Sequence, residues 1–199
     1  MLPLLLNKII QTDKLLFLHL VTQKNRIYTF LNPVSYLIAL ENKSLFEQFD
    51  GIFADGSLLV SAIRLVYGKR VTRRSFDMTS LAPELLNYLM ESRKTLYIVA
   101  SGQEQVECSV RIFQEQYPEL RIAGFRNGYF SSDAEMNKEA SHIVELNPDF
   151  LIVGMGALMQ EKFLLKVKKM GYQGIGFTCG GFVHQTAMNR MHYYQKIRI

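Results

Sequence analysis

The segment 51–77, GIFADGSLLVSAIRLVYGKRVTRRSFD, places one acid, Asp55, between a short apolar run and a helical pattern. A carboxylate at such a junction has three uses. It caps the helix, it shapes the turn, or it stands as a catalytic group at the mouth of a parallel sheet, where ligands bind. A helix N-terminus favours the ionised form and so weakens the group as a base, which pulls against the third use. Glycine-containing turns recur in the same kind of position: ASGQEQ, the Gly128-Tyr129-Phe130 turn, GMGALMQEK and TCGG each follow an apolar run. Glycine there lets the backbone approach a phosphate, and the first amides of the next helix donate to it; the plain alternative is a turn that only closes a strand. None of these turns is a strict phosphate-loop or dinucleotide fingerprint.

The elements that must position these residues are legible as an alternation. RIYTFLNP, GIFADG, TLYIVASG, RIAGFRNGYF, DFLIVGMG and GIGFTCGG read as strands ending in turn residues. Between them SLLVSAIRLVYG, MTSLAPELLNYLMES, QVECSVRIFQEQY and EMNKEASHIVELN carry apolar residues at helical spacing. In SSDAE, Ser132 followed by Glu135 predicts a capping box. No repeat, low-complexity tract or flexible linker interrupts the pattern. It predicts a single doubly wound α/β domain over residues 1–199, with a mainly parallel sheet flanked by helices. In such a sheet Asn32, Asp55, Gly102, Gly128, Gly154, Gly156, Gly180 and Gly181 all fall at the carboxyl ends of strands.

Composition bounds the function. At 199 residues and 48% hydrophobic content the chain is neither disordered nor fibrous. Two cysteines, Cys108 and Cys179, are too few for a disulfide framework and lack zinc-type spacing, so a reducing cytoplasm is the expected compartment. The apolar start, MLPLLLNKIIQTDKLLFLHLV, is interrupted by Asn7, Lys8, Asp13 and Lys14 and reads as neither a signal peptide nor a spanning helix. Glu161 is the last acid, and seven lysines and arginines follow it, so the basic excess belongs to residues 162–199. Such a segment is a solvated face, or it meets a phosphate-bearing ligand, an anionic membrane or nucleic acid; no nucleic-acid motif supports the last.

Taken together the strings are more specific. FLNPVSYLIALEN, FADGSLLVSAIRL, RRSFDMTSL, YIVASGQEQV, IAGFRNGYF, PDFLIVGMGALMQEKF and TCGGF resemble, in order and approximate spacing, the WecG/TagA/CpsF glycosyltransferase family over roughly residues 25–185. The resemblance implies a Rossmann-like α/β fold without a bound metal or other cofactor. It also implies inverting transfer of an N-acetylhexosamine or related sugar from a UDP-sugar onto a lipid-diphosphate-linked saccharide, for surface polysaccharide synthesis. The protein would then work in the cytoplasm, peripherally at the inner face of the membrane.

The same resemblance assigns roles. Asp55 stands in the family's Asp-Gly motif as general base. Arg73 occupies the place of an arginine that stabilises the departing diphosphate, with Arg74 as its neighbour and alternative. Asn32 resembles an asparagine near the sugar or acceptor, and Thr29 is a weaker candidate beside it. Gln160, whose carboxamide both donates and accepts, is suited to the edge of a uracil and is paired with Glu161. Gly102, Gly128, Tyr129 and Gly156 are further candidates for lining the nucleotide pocket.

Two departures stand out. Leu158 takes the place of a common proline, and Val183 and His184 follow the GGF phenylalanine where family members commonly have an aspartate and then a longer basic region. The resemblance thus implies a shortened member, or one completed by a second copy or a partner chain. His184 and His192 are either replacements for missing polar groups or ordinary surface residues. The Cys179 to His184 spacing makes a poor metal site, and no metal is assigned. A nucleotide-sugar-binding protein without turnover is the alternative to an enzyme. A dinucleotide enzyme is disfavoured, because no strand runs into GxGxxG with an acid about twenty residues onward.

Overall fold

The structure, a computed structural model, describes residues 7–10, 17 and 19–188. His192 and the end of the basic segment, with Arg190, Lys196 and Arg198, lie outside the described residues. Among the described residues the sheet has six strands: β1 (Arg26–Leu31), β2 (Gly51–Ala54), β3 (Thr95–Ala100), β4 (Arg121–Arg126), β5 (Phe150–Gly154) and β6 (Ile175–Thr178). They lie in the order β2-β1-β6-β5-β3-β4, and every pair is parallel. A parallel sheet is covered on both faces, which is why β2, β5 and β6 are apolar runs buried at every residue.

Helices fill both layers. Over one face pack α1 (Pro33–Glu41), α2 (Lys43–Phe46), α3 (Ser57–Tyr67), α6 (Asp133–Leu146) and α7 (Met159–Lys169). Over the other pack α4 (Leu81–Glu91), α5 (Gln103–Gln116) and α8 (Phe182–Met188). Alternate residues of one strand supply both cores: Ile27 and Leu31 face the first layer, and Tyr28 faces the second. Tyr28, Phe53, Phe76, Phe177 and Phe182 join by ring contacts into an aromatic cluster beneath α8.

Register brings the strand ends level. Leu31 pairs with Ala54, Ala100 with Gly154, and Val153 with Thr178. Asn32, Asp55, Ser101, Met155 and Cys179 therefore emerge along one rim. The outer edge of β2 is covered rather than open: Ile10 N donates to Ile52 O and Ile52 N to Lys8 O, while Arg74 N donates to Ala54 O. That last bond carries the segment bearing Arg73 to the end of β2.

The predicted capping box at Ser132 forms by half. Ser132 Oγ accepts from Glu135 N, but the Glu135 carboxylate turns to Ser131 N and Oγ. The basic residues of α7 are also less free than their count implies, since Lys166 donates to Asn137 and Lys168 to Asp50.

At the opposite end of the strands Asp50 joins three elements. Its carboxylate accepts from Arg26 Nη1 and Lys168 Nζ at 2.6 Å each and from Ile27 N at 2.8 Å. Burial opposes its ionisation, but the bonds from Lys168, Ile27 and Arg26 together hold it below the ordinary aspartate value. Asp50→Ala is expected to cost roughly 2 to 3 kcal/mol in urea unfolding, because two cations and an amide lose a shared, mostly buried acceptor. A lowered folded-state pKa contributes stability above the unfolded value of about 4. The advantage of the wild type over Asp50→Asn should therefore be full near neutral pH and shrink as acid protonates the folded carboxyl. An advantage independent of pH would show that Asp50 acts by shape alone.

Candidate active site

The carboxyl rim opens into a cavity of about 1130 Å³. This exceeds a typical small-ligand pocket and leaves room for a nucleotide-sugar together with part of a second substrate. Its walls are the turns after all six strands. Backbone with positive φ gathers there: Gly56 (88°) after β2, Ser101 (54°) after β3, Gly156 (83°) and Leu158 (68°) after β5, and Gly180 (53°) after β6. Such turns reverse the chain abruptly from strand to helix and bring the N-terminal ends of α5, α7 and α8 to the cavity, where the first amides lack intrahelical partners. At Gly154 the need for glycine is steric, since a Cβ would lie 2.7 Å from both Cys179 Sγ and Gly180 O.

Asp55 lines this cavity and does not cap α3. Gly56 is the N-cap residue, and no side-chain capping bond is made. Register and Asp55 N→Leu31 O at 2.8 Å set Asp55 next to Asn32 along the rim. Burial raises its pKa above the ordinary value, Arg73 lowers it, Asp77 raises it and the Gly56 amide lowers it; the net direction is upward. The helix terminus is thus outweighed by desolvation, so the group is a better base than its position in sequence implies. Arg73 Nη2 donates to Ser75 Oγ at 3.1 Å and stands 3.8 Å from Asp77 Oδ2. Arg74 has different surroundings, with its guanidinium 2.9 Å from Glu84 at the start of α4.

Beneath the rim lies a buried polar network. Thr29 Oγ1 donates to Glu161 Oε1 at 2.9 Å and lies 2.9 Å from Thr178 Oγ1. Gln160 Nε2 donates to the same Glu161 oxygen, and Gln160 Oε1 accepts from Gly180 N. Thr29 is 0% and Glu161 1% exposed. Burial raises the Glu161 carboxyl against the hydrogen bonds from Gln160 and Thr29 that favour its ion, and its Oε2 has no hydrogen-bond partner among the described residues. The adjoining turn departs from the proline common in the resembling family: with φ of 68°, Leu158 holds a backbone that a proline ring, confined near −65°, cannot take.

Of the residues singled out by sequence, Asn32, Asp55, Gly102, Gly128, Tyr129, Gly156 and Gln160 meet on the cavity wall, and His184 lines it too. Thr29 and Glu161 are placed behind the wall, under Gln160. Arg73 is held at the edge by Ser75 and Asp77, which themselves line the cavity. Asn32 does two jobs: its Oδ1 accepts from Val34 N and Ser35 N as the cap of α1, which leaves the Nδ2 donors for a ligand. The Tyr129 turn is pinned from below, as Arg126 donates to the carbonyls of Asn127 and Tyr129 and lies 4.0 Å over the Phe130 ring. Ser101, Asp77 and Asp133 are wall residues that sequence reasoning missed. The Ser-Gly dipeptide closing β3 signals the first, and the aspartate of RRSFD the second.

Fold and cavity define a doubly wound α/β protein with a nucleotide-sized cleft at its strand ends and a desolvated carboxylate in its wall. Comparison with known proteins narrows this. The chain matches the glycosyl transferase WecG/TagA/CpsF family over residues 10–190 and belongs to it. It is 33% identical over 172 residues to a UDP-Gal:alpha-D-GlcNAc-diphosphoundecaprenol beta-1,4-galactosyltransferase of Shigella boydii, covering 86% of this chain and 72% of that one. It is 24% identical over 168 residues to an N-acetylglucosaminyldiphosphoundecaprenol N-acetyl-beta-D-mannosaminyltransferase of Bacillus subtilis (strain 168), covering 82% and 63%. A Staphylococcus aureus (strain NCTC 8325 / PS 47) protein of the same name is 26% identical over 121 residues, covering 61% and 46%. The chain thus spans less than two thirds of the length of these Bacillus and Staphylococcus relatives.

The buried network yields a stability test. Glu161→Ala removes the acceptor shared by Thr29 and Gln160 and leaves a void, at an expected cost of roughly 2 to 4 kcal/mol. Glu161→Gln keeps the volume and one acceptor, and should cost about 1 kcal/mol or less. Urea denaturation of the two variants checks the ranking; equal costs would mean that the network carries no stability through its hydrogen bonds.

Proposed function

We propose that this protein transfers a hexose or N-acetylhexosamine from a UDP-sugar to a saccharide carried on a polyprenyl diphosphate, with inversion at the anomeric carbon. The observation that carries this reading is Asp55: a carboxylate in the cavity wall, relieved of capping duty, desolvated, and accompanied by Arg73. It accepts the proton of the acceptor hydroxyl as that oxygen attacks the anomeric carbon from the face opposite the nucleotide. The bond from the anomeric carbon to the phosphate oxygen breaks, and UDP departs with the electron pair. Arg73 and the amides at the starts of α5 and α7, behind Gly102 and Gly156, meet the charge that develops on the diphosphate, so no metal is required in this scheme. Asn32 Nδ2 orients the sugar or acceptor, and Gln160, held by Glu161 and Gly180, presents its remaining amide hydrogen to the base.

The relatives' names support the class of both substrates: each acts on an undecaprenyl-diphosphate-linked N-acetylglucosamine, and the Shigella protein takes UDP-Gal. Both are named for β-linked products, the outcome of displacing an α-linked UDP-sugar with inversion. Because such an acceptor stays in the bilayer, the protein works peripherally at the cytoplasmic face of the membrane, in surface polysaccharide synthesis.

Asp55→Asn should lower turnover by on the order of a hundredfold or more while UDP affinity and folding persist. The pH profile supplies the sharper test. Turnover needs the carboxylate, so it falls as pH drops through the Asp55 pKa, and burial places that acid limb above the ordinary aspartate range. Arg73 lowers this pKa and Asp77 raises it. Arg73→Gln should therefore move the acid limb of kcat/KM to higher pH, and Asp77→Asn to lower pH. A limb indifferent to both substitutions, or near-normal turnover by Asp55→Asn, would remove Asp55 from the mechanism. UDP binding with no transfer by the wild type would instead indicate a binding protein.

A further inference from the structure

The side of α3 turned away from the sheet carries an apolar stripe, edged by the exposed Ser57, Ser61 and Arg64. Leu58, Ala62, Leu65 and Val66 recur at helical spacing on the side opposite Leu59 and Ile63, which are buried. Leu58 is 69% exposed, Leu65 87% and Val66 64%; on α1, Val34 is 69% and Leu37 63% exposed. The buried sides of both helices share one core cluster over β1 and β2, so these outward residues lie on one side of the molecule. An exposed apolar stripe on the outer side of helices whose packed side is apolar too calls for a second apolar surrounding.

Placement and charge say which surrounding. Helix α1 starts directly behind Asn32 and α3 directly behind Asp55 and Gly56, so Val34 and Leu58 stand in the first turn from the cavity. At about 1.5 Å per residue the apolar stripe reaches some 12 Å further, to Leu65 and Val66. The border is basic: residues 56–76 contain Arg64, Lys69, Arg70, Arg73 and Arg74 and no Asp or Glu. Arg64, Lys69 and Arg70 are exposed, Arg74 is held by Glu84, and α1 carries a single acid, Glu41, at its far end. An apolar stripe flanked by arginine and lysine matches the acyl boundary and headgroups of an anionic bilayer. A second copy of the chain fits less well, because a two-fold contact would set this acid-poor basic border against itself.

We propose that the outer face of α1 and α3 docks on an anionic lipid bilayer, with Asp55 and Asn32 held beside the headgroups. The identity of what is presented there rests on the lipid-linked-acceptor reading; the docking rests on the face itself. The lipid-borne diphosphate would approach the cavity past Val34 and Leu58, and the acceptor would reach Asp55 without leaving the membrane.

The test uses the full chain and vesicles of phosphatidylcholine with or without phosphatidylglycerol. Leu37→Gln/Leu65→Gln should lower partitioning onto the anionic vesicles by about tenfold or more, because two leucines no longer leave water. Its melting temperature should match the wild type, and the tail reversal Lys196→Glu/Arg198→Glu should retain most of the binding. Turnover with a short-chain, water-soluble acceptor should persist in the leucine variant, and turnover with a vesicle-embedded acceptor should fall. Unchanged partitioning in the leucine variant overturns the proposal, as does loss of binding in the tail reversal alone. So does a lipid-free dimer that the leucine variant breaks while vesicle binding stays intact. If the wild type modifies neither acceptor yet the leucine variant still loses the vesicles, the docking face stands and the transferase reading falls.

Discussion

The buried contact between Thr29 and Glu161 joins two parts of the chain 132 residues apart, and the architecture of the rim follows from it. Glu161 lies in the first turn of α7, Thr29 in β1 and Thr178 in the neighbouring β6. Through Gln160 the same group reaches Gly180 N, so the turns after β5 and β6 are braced from behind. Burying a carboxyl is costly unless its lone pairs are met. Here two donors share one oxygen, and burial raises the pKa of the group. At the turns after β5 and β6, which carry positive φ at Gly156, Leu158 and Gly180, this network ties the backbone to buried side chains.

The charges on the cavity wall come from other turns. Asp55, Asp77 and Asp133 line it, and no lysine or arginine is among its described lining residues. In the proposed transfer an anionic ligand would be met by amides at the helix starts and by Arg73, which Ser75 and Asp77 hold at the edge. Asp77 acts on both sides of this balance: it steadies Arg73, and its charge helps keep Asp55 basic.

Much of the fold was legible in the sequence. Parallel strands buried on both faces read as apolar runs, and turn residues marked their ends: Asn32-Pro33 after β1 and glycine-containing turns after the other five. The motif offered Asp55 as a base, but that it lines the cavity instead of capping α3 was not legible, because this depends on Gly56 taking the cap position at φ of 88° and on how far the carboxylate is desolvated. Arg73 and Arg74 are equivalent as letters; the folded surroundings separate them, Glu84 on α4 taking Arg74 while Ser75 and Asp77 hold Arg73. Gln160 and Glu161 were visible as a polar pair on a helix, yet nothing local shows that Glu161 turns fully inward, since its partner Thr29 is remote in sequence. The helical spacing of SLLVSAIRLVYG was clear, but its apolar arc is wider than the sheet covers, and the pattern does not say which part of that arc is left exposed.

The central claim is that this cavity passes a sugar from a UDP donor to a lipid-diphosphate saccharide. Mass spectrometry of an N-acetylglucosaminyl-diphospho-lipid incubated with the full chain and a panel of UDP-sugars addresses it most directly. The account predicts that one donor adds a single hexose or N-acetylhexosamine to the acceptor, in β linkage, with release of stoichiometric UDP. A folded protein that binds UDP and leaves the acceptor unmodified with every donor would contradict it.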